Sequence, residues 1–385
     1  MTFIGAKVWA WLAVALLAAG CGSVEPEPKS ELSPGSQRAG GWARLPTAPL
    51  SARHEAAGVW VAERFVILGG WSSPICPVNA DCAPPPGAAL RDGASFDPAT
   101  GRWTEIAAAP VPVTWSSMAV AGARIYVLTA DQGRADSPVT FLSYESGQNT
   151  WTRHPLPPDL GTLVAVGTTV VAVPGSDEQG ATTDAVFDPH RDKWRPLPAD
   201  PLGASFDRSA VEVDGGLLLA AKDLVPNPGA DRPALVRLAR LDKTLARWLM
   251  LPNTDVIGWG PVAVGSRVVW PGTGSADGGA VGNWGRSYPE GGILDLSSGT
   301  WQTLPRPPWS PALGCCTPVV GDRVLVGGQL LDPATGRWTQ VPQLPGVTRR
   351  AATVVGSPRA LLVWGGATTG TRPGNLATGY LLTPG

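Results

Sequence analysis

Five cysteines and three histidines are the side chains of this 385-residue chain best equipped for nucleophilic, redox or metal chemistry. His54 follows Arg53 at the start of an apolar stretch, and His154 fills a slot before a proline that is apolar elsewhere. His190 lies within Asp188-Pro189-His190-Arg191-Asp192, which reads as a turn. None of the three stands in a spacing that pairs it with a serine and an acid for nucleophilic catalysis, so no catalytic residue is expected. Cys76, Cys82, Cys315 and Cys316 lack Cys-x-x-Cys spacing and have no histidine nearby, so neither a metal nor another cofactor is expected. In an exported chain these four read as disulfides. A Cys76–Cys82 bridge would pin a long loop, and Cys315–Cys316 would be a bridge between adjacent residues. Crossed pairing is the alternative, since four cysteines allow three connectivities.

A second set of residues suits binding. Trp71, Trp115, Trp259, Trp284 and Trp309 fall outside the repeat described below, in segments that read as loops, and Arg350 opens a strand. Exposed indoles beside a guanidinium would hold a sugar ring or a peptide. The plainer role for each indole is to plug or cap the fold.

The elements that would position these residues are strands. Glycine (48), proline (40) and tryptophan (17) are abundant and only 16 % of residues are charged. This composition suits short strands and tight turns, and no long stretch carries a helical apolar period. The net charge is −1 with no basic cluster, which excludes a nucleic-acid partner. The basic residues are mostly arginine, a bias that points to a GC-rich bacterial genome.

At the N-terminus, Lys7 precedes the apolar stretch Val8–Ala19, which is short for a membrane span. It leads into Leu17-Ala18-Ala19-Gly20-Cys21, which resembles the bacterial lipobox, in which the cysteine is diacylated and becomes the new N-terminus. The chain departs from that pattern in one place: Leu17 stands four residues before Cys21, where the motif prefers a leucine three before. An ordinary signal peptide cut nearby is the alternative. Residues 22–40 are rich in Pro, Ser and Glu and read as a flexible tether. The expected organisation is a signal peptide over 1–20, lipidated Cys21 with its tether over 21–40, and one domain over 41–385. The chain would be an exported, membrane-anchored monomer facing the periplasm or the cell exterior.

That domain is repetitive. An apolar residue, an acidic residue, five further positions and a tryptophan recur as Phe96-Asp97…Trp103, Tyr144-Glu145…Trp151 and Phe187-Asp188…Trp194. The same order returns at Leu241-Asp242…Trp248, Leu294-Asp295…Trp301 and Leu331-Asp332…Trp338. A proline follows four residues after each tryptophan except the first of these, where Ala107 stands. Asp-Pro starts a turn and Gly takes its left-handed position, so each unit predicts a β-hairpin. Between the hairpins lie seven apolar strands, at 66–70, 125–130, 170–175, 217–221, 267–272, 323–328 and 361–366. Only six hairpins are complete. The seventh is split: Trp42-Ala43-Arg44-Leu45-Pro46 has the tryptophan-to-proline order, and Gly379-Tyr380-Leu381 supplies its partner strand. The expected fold is all-β, a seven-bladed propeller closed by pairing the N- and C-terminal strands.

An apolar strand ending in Gly-Gly and followed by a tryptophan hairpin resembles the kelch repeat, and the resemblance covers residues 41–385. It implies blades whose strands a to d run outward from a central channel, with the d–a and b–c connections on one face. The long segments 71–93 and 272–292 then fall on that face, which is where a protein or carbohydrate ligand at the cell envelope is expected. The same superfamily implies two enzymatic alternatives acting on sugars. Galactose oxidase carries a copper site of two tyrosines and two histidines, which Tyr126, Tyr144, Tyr288 and Tyr380 do not match residue by residue. A mutarotase would need little more than a Glu or Arg at the channel mouth.

Overall fold

The computed structural model describes residues 41–77, 80, 82, 85, 87–131, 137–224, 233–271, 288–304, 317–369 and 373–384. Seven four-stranded antiparallel sheets are the blades of a seven-bladed β-propeller. Blade 1 is built from β2 (Ala57–Val61), β3 (Arg64–Leu68), β4 (Gly93–Asp97) and β5 (Arg102–Ile106). Blade 2 comprises β6 (Thr114–Ala121), β7 (Arg124–Ala130), β8 (Thr140–Glu145) and β9 (Thr150–His154), and blade 3 β10 (Thr162–Val166), β11 (Thr169–Val173), β12 (Ala185–Asp188) and β13 (Lys193–Pro196). Blade 4 holds β14 (Ser205–Val213), β15 (Gly216–Asp223), β16 (Val236–Leu241) and β17 (Trp248–Met250), and blade 5 β18 (Val262–Val264), β19 (Arg267–Pro271), β20 (Gly291–Asp295) and β21 (Thr300–Thr303). Blade 6 follows with β22 (Val319–Val320), β23 (Arg323–Val326), β24 (Gln329–Asp332) and β25 (Arg337–Gln340). First strands pack on first strands around the ring, β2 on β6, β6 on β10, β10 on β14 and β14 on β18.

Blade 7 joins the two ends of the chain. Its strands are β27 (Thr353–Gly356), β28 (Leu361–Trp364), β30 (Gly379–Leu382) and, outermost, β1 (Trp42–Arg44). Trp42 faces Leu382 and Arg44 faces Tyr380. In the other blades the tryptophan likewise faces the apolar residue of its hairpin, as Trp103 faces Phe96 and Trp338 faces Leu331. β27 packs on β2, so the ring closes and blade 7 has no open seam. A two-stranded ribbon, β26 (Arg349–Arg350) with β29 (Ala367–Thr368), extends the inner end of this blade.

The hairpins form for a local reason. The repeated acid turns its side chain back onto the turn: Asp97 Oδ1 accepts the backbone N–H of Ala99 and Thr100, and Asp332 Oδ1 that of Ala334 and Thr335. Gly101 (φ 67°), Gly299 (φ 70°) and Gly336 (φ 68°) take the left-handed position two residues before the tryptophan. The core lies between blades. Side chains of one blade interdigitate with those of the next, as Val66 and Leu68 of blade 1 do with Ile125, Val127 and Leu142 of blade 2. Gly70 shows why the Gly-Gly pair is needed. Its φ is 89°, and a Cβ there would lie 2.7 Å from the carbonyl oxygen of His54.

Candidate functional site

The two faces of the ring differ in how their connections are made. On one, the a–b turns are short, as at Ala62-Glu63, Asp214-Gly215 and Gly321-Asp322, and the c–d turns are closed on themselves by the repeated aspartates. On the other, the b–c connections run over 69–92 in blade 1, 174–184 in blade 3 and 365–378 in blade 7, and shrink to Gly327-Gly328 in blade 6.

In blade 1 a Cys76–Cys82 disulfide ties the long connection, and Trp71 makes bridges to both His54 and Ala89. Asn375 of blade 7 reaches across and donates from Nδ2 to the carbonyls of Ser72 (3.1 Å) and Ser73 (2.9 Å). Arg350 Nη2 donates to the carbonyl of Cys76 at 2.9 Å, 274 positions away in sequence. The loops of blades 1 and 7 thus form one stitched rim beside the point where the ring closes.

Several groups on this rim have unused capacity. Arg350 is half-buried, and no carboxylate among the described residues lies within ion-pair distance of it. Both ring nitrogens of His54 are buried without a hydrogen-bond partner, and the Glu55 carboxylate stands 3.7 Å from Nδ1, too far to accept from it. Asn375 Oδ1 is likewise unpaired. Glu55 and Ala351 hold left-handed backbones (φ 52° and 51°) at matching places in blades 1 and 7, and the Glu55 N–H donates to the Ala351 carbonyl. Non-glycine residues in this conformation store local strain. Arg53, by contrast, is spent on structure. It is fully buried, and its Nη1 and Nη2 clamp both oxygens of Asp92 at 2.7 and 2.8 Å, which holds that carboxyl below its ordinary range.

A second polar concentration lies on the same face between blades 3 and 4. Arg208 Nη2 donates to both oxygens of Asp184 (3.0 and 2.8 Å) and Nη1 to Asp200 at 3.1 Å, while Asp177 lies 3.8 Å away. One cation therefore serves three carboxylates. Burial pushes the Asp184 carboxyl up despite Arg208 beside it. Next to it, the buried Lys222 donates to Asp207 at 2.7 Å, and Asp207 sits at a left-handed φ of 48° where β14 bulges.

The candidate binding residues separate in the structure. Trp71 is only 2 % exposed, so its indole packs within the rim instead of offering an open ring. Trp259, in the connection between blades 4 and 5, is 38 % exposed and presents apolar surface. Trp115 lies in β6 at an irregularity in its pairing with β7. Trp284, Trp309, Cys315, Cys316 and Cys21 lie outside the described residues. Among the described residues, no group of three or more His, Cys, Asp or Glu is placed to hold a metal ion.

One constellation escaped the sequence reading. Ser143 Oγ lies 2.8 Å from His154 Nε2, and His154 Nδ1 lies 2.6 Å from Asp192 Oδ1, 38 positions on in the next blade. The order matches a Ser-His-acid relay, but its setting is that of a seam between blades. Ser143 is buried in the middle of β8 and His154 sits among the rings of Tyr126, Phe141 and Phe187. Ser143 pairs with both Tyr126 and Thr152, so the surrounding strand amides belong to the ladders and leave no cradle for an oxyanion.

No protein-family model matches the chain, and no curated protein matches it in sequence.

Proposed function

We propose that this chain is an exported, lipid-anchored propeller of the kelch type that binds a protein or carbohydrate ligand of the cell envelope on its d–a/b–c face. The β-propeller fold is compatible with an interaction module. The observation that carries the reading is the stitched rim of blades 1 and 7. There a disulfide, Asn375 and Arg350 hold a long connection in place, while the half-buried Arg350 spends one donor on Cys76 and has no carboxylate beside it among the described residues. A loop fixed by such contacts is pre-organised for recognition, and the remaining donors of Arg350 are free to meet an acceptor on a ligand. The anchor is supported by Leu17-Ala18-Ala19-Gly20-Cys21 following an apolar stretch, and by the polar residues 22–40 that would hold the ring off the membrane.

The test has two parts. Labelling with an alkynyl palmitate analogue should mark the wild-type chain and spare Cys21→Ser; equal labelling of both would remove the anchor from the proposal. Melting of the purified chain against a glycan panel should show an upward shift in Tm that Arg350→Ala abolishes. A shift that survives that substitution would place the ligand elsewhere.

A further inference from the structure

A cleft of about 380 Å3 opens between blades 1 and 2 on the face of the short turns, away from the stitched rim. Arg64, Val66, Ser95 and Ile106 line it from blade 1, and Tyr144 and Asn149 from blade 2. The strand register fixes which side chains of blade 1 face it. Val66 pairs with Ser95 and Ser95 with Thr104, while Arg64 and Ile106 lie two residues from Val66 and Thr104 along their strands. All five therefore point toward blade 2, where Val66 and Ile106 pack. The seam between blades 2 and 3 repeats this layout. There Tyr126 stands for Val66, Arg124 for Arg64, Ser143 for Ser95 and His154 for Ile106. The buried Tyr126 ring fills the seam, with its centroid 5.9 Å from that of Phe187. Glu145 and the Tyr126 oxygen beside it hold the Arg124 guanidinium above its ordinary range. Deeper in the two seams the volumes balance: Gly93 stands for Phe141, but Val127 and Leu142 on the opposite wall stand for Ala172 and Ala185. At the level of Val66 nothing compensates, since Ile125 and Tyr144 on the opposite wall match Val170 and Phe187. The cleft is the space of a missing tyrosine side chain.

We propose that this cleft binds a small phenol, whose ring takes the place that the Tyr126 ring holds one seam along and whose oxygen accepts from Arg64. The volume lies at the low end of the range for small-ligand sites, about 300–1,000 Å3. Val66, Ile106 and the Tyr144 ring supply apolar walls. The Tyr144 wall is fixed in advance: its hydroxyl donates to Asn149 Oδ1 at 2.8 Å, and the same oxygen accepts the Ala107 N–H at 2.6 Å. Arg64 reaches Asp97 only at 3.5 Å and is 45 % exposed in its side chain, which leaves further N–H donors of the guanidinium for a ligand oxygen. A second polar group also faces the cleft with little to hold it. The Ser95 hydroxyl is buried and reaches no closer than 3.5 Å to its acceptor, the Thr104 carbonyl.

The proposal is independent of the reading of the loop face. Isothermal titration of the purified full-length chain with 4-methylphenol, the tyrosine side chain in free form, tests it, with toluene as the counterpart that lacks the hydroxyl. The phenol should bind about tenfold more tightly than toluene, the difference expected of a hydrogen bond from a charged donor. Arg64→Met should bring the two ligands to equal affinity and leave Tm nearly unchanged, since the Arg64–Asp97 pair is long and open to solvent. Val66→Tyr, which installs the filling already used one seam along, should abolish binding of both ligands without lowering Tm. Should that larger side chain prevent folding, Arg64→Met still carries the test. No binding of the phenol, equal affinity for phenol and toluene in the wild type, or a preference for the phenol that survives Arg64→Met would each overturn the proposal. So would binding that persists in a folded Val66→Tyr chain. All of these results would leave the loop-face reading untouched.

Discussion

The indole Nε1 of Trp103 donates to the carbonyl of Pro46 at 3.1 Å, across the junction of blades 1 and 7 and 57 residues away in sequence. The same bond joins Trp42 to Pro342, Trp151 to Ala107, Trp194 to Pro155 and Trp248 to Pro198. Each acceptor lies four residues after the tryptophan of the preceding blade. The two most regular features of the repeat are therefore the donor and acceptor of one staple between blades. Because the acceptor is a main-chain carbonyl, Ala107 serves as well as a proline.

This arrangement predicts an asymmetry. Trp103→Phe keeps most of the apolar contact with Phe96 and Trp364 but removes the donor, and should cost about 1 kcal/mol in urea unfolding. Pro46→Ala retains the acceptor and should cost less than half of that. Equal losses would mean that the proline ring, not its carbonyl, matters at this junction.

Arg208 is the one cation paired with Asp177, Asp184 and Asp200 among the described residues, so Arg208→Met should leave buried carboxylates uncompensated and cost about 3–5 kcal/mol at pH 7. The pH dependence of that loss has a definite sign. Burial raises the folded-state pKa of Asp184 above its ordinary value of 3.8, so the folded chain binds this proton more readily than the unfolded chain. Its ionisation therefore costs stability as pH rises above 3.8, and removing Arg208 strengthens the effect. The difference between variant and wild type should shrink as the pH is lowered from 7 toward 4. A difference that stays constant with pH would show that Asp184 is not ionising against its burial.

The turn aspartates carry the opposite sign. Hydroxyl donors Thr335 on Asp332, Thr244 on Asp242 and Ser297 on Asp295, with backbone N–H groups behind them, hold these carboxyls below 3.8. A depressed folded pKa contributes stability that is present above the unfolded value and lost as pH falls through the folded one. Wild-type stability should therefore decline below about pH 4, in line with that reference value. Asp332→Asn should flatten the decline measurably in denaturant titrations at pH 2–5. An unchanged acid limb would show that Asp332 gains nothing from ionisation in its turn.

Much of the ring was legible because its signals are local. The Asp and Gly positions at 97–101 and 332–336 specify turns within a few residues, and the Trp42-to-Pro46 spacing survives although its partner strand lies at the other end of the chain. What the sequence did not disclose is lateral. His154 meets Asp192, and Arg208 meets Asp184, only because successive blades lie side by side at one angle and register. No spacing along the chain encodes such neighbours. Trp71 marks a related limit: its place in a long connection was readable, but its burial depends on the backbone of His54 and Ala89 closing around it.

His154 allows the seam between blades 2 and 3 to be tested as packing and not chemistry. Its ring bonds Ser143 and Asp192 and lies within 5.0–6.3 Å of the centroids of Phe187, Phe141 and Tyr126. His154→Ala would open a gap among these rings and leave the buried Ser143 hydroxyl unpaired, so a loss of about 2–4 kcal/mol is expected. His154→Gln keeps a donor and an acceptor in a side chain of similar reach and should recover about half of it. Ser143→Ala removes the hydroxyl but adds no cavity of consequence, and should cost only about 1 kcal/mol. An ester-hydrolysis assay separates the two roles. A relay would lose turnover equally in all three variants, whereas a seam gives graded losses of stability and no difference in turnover from wild type.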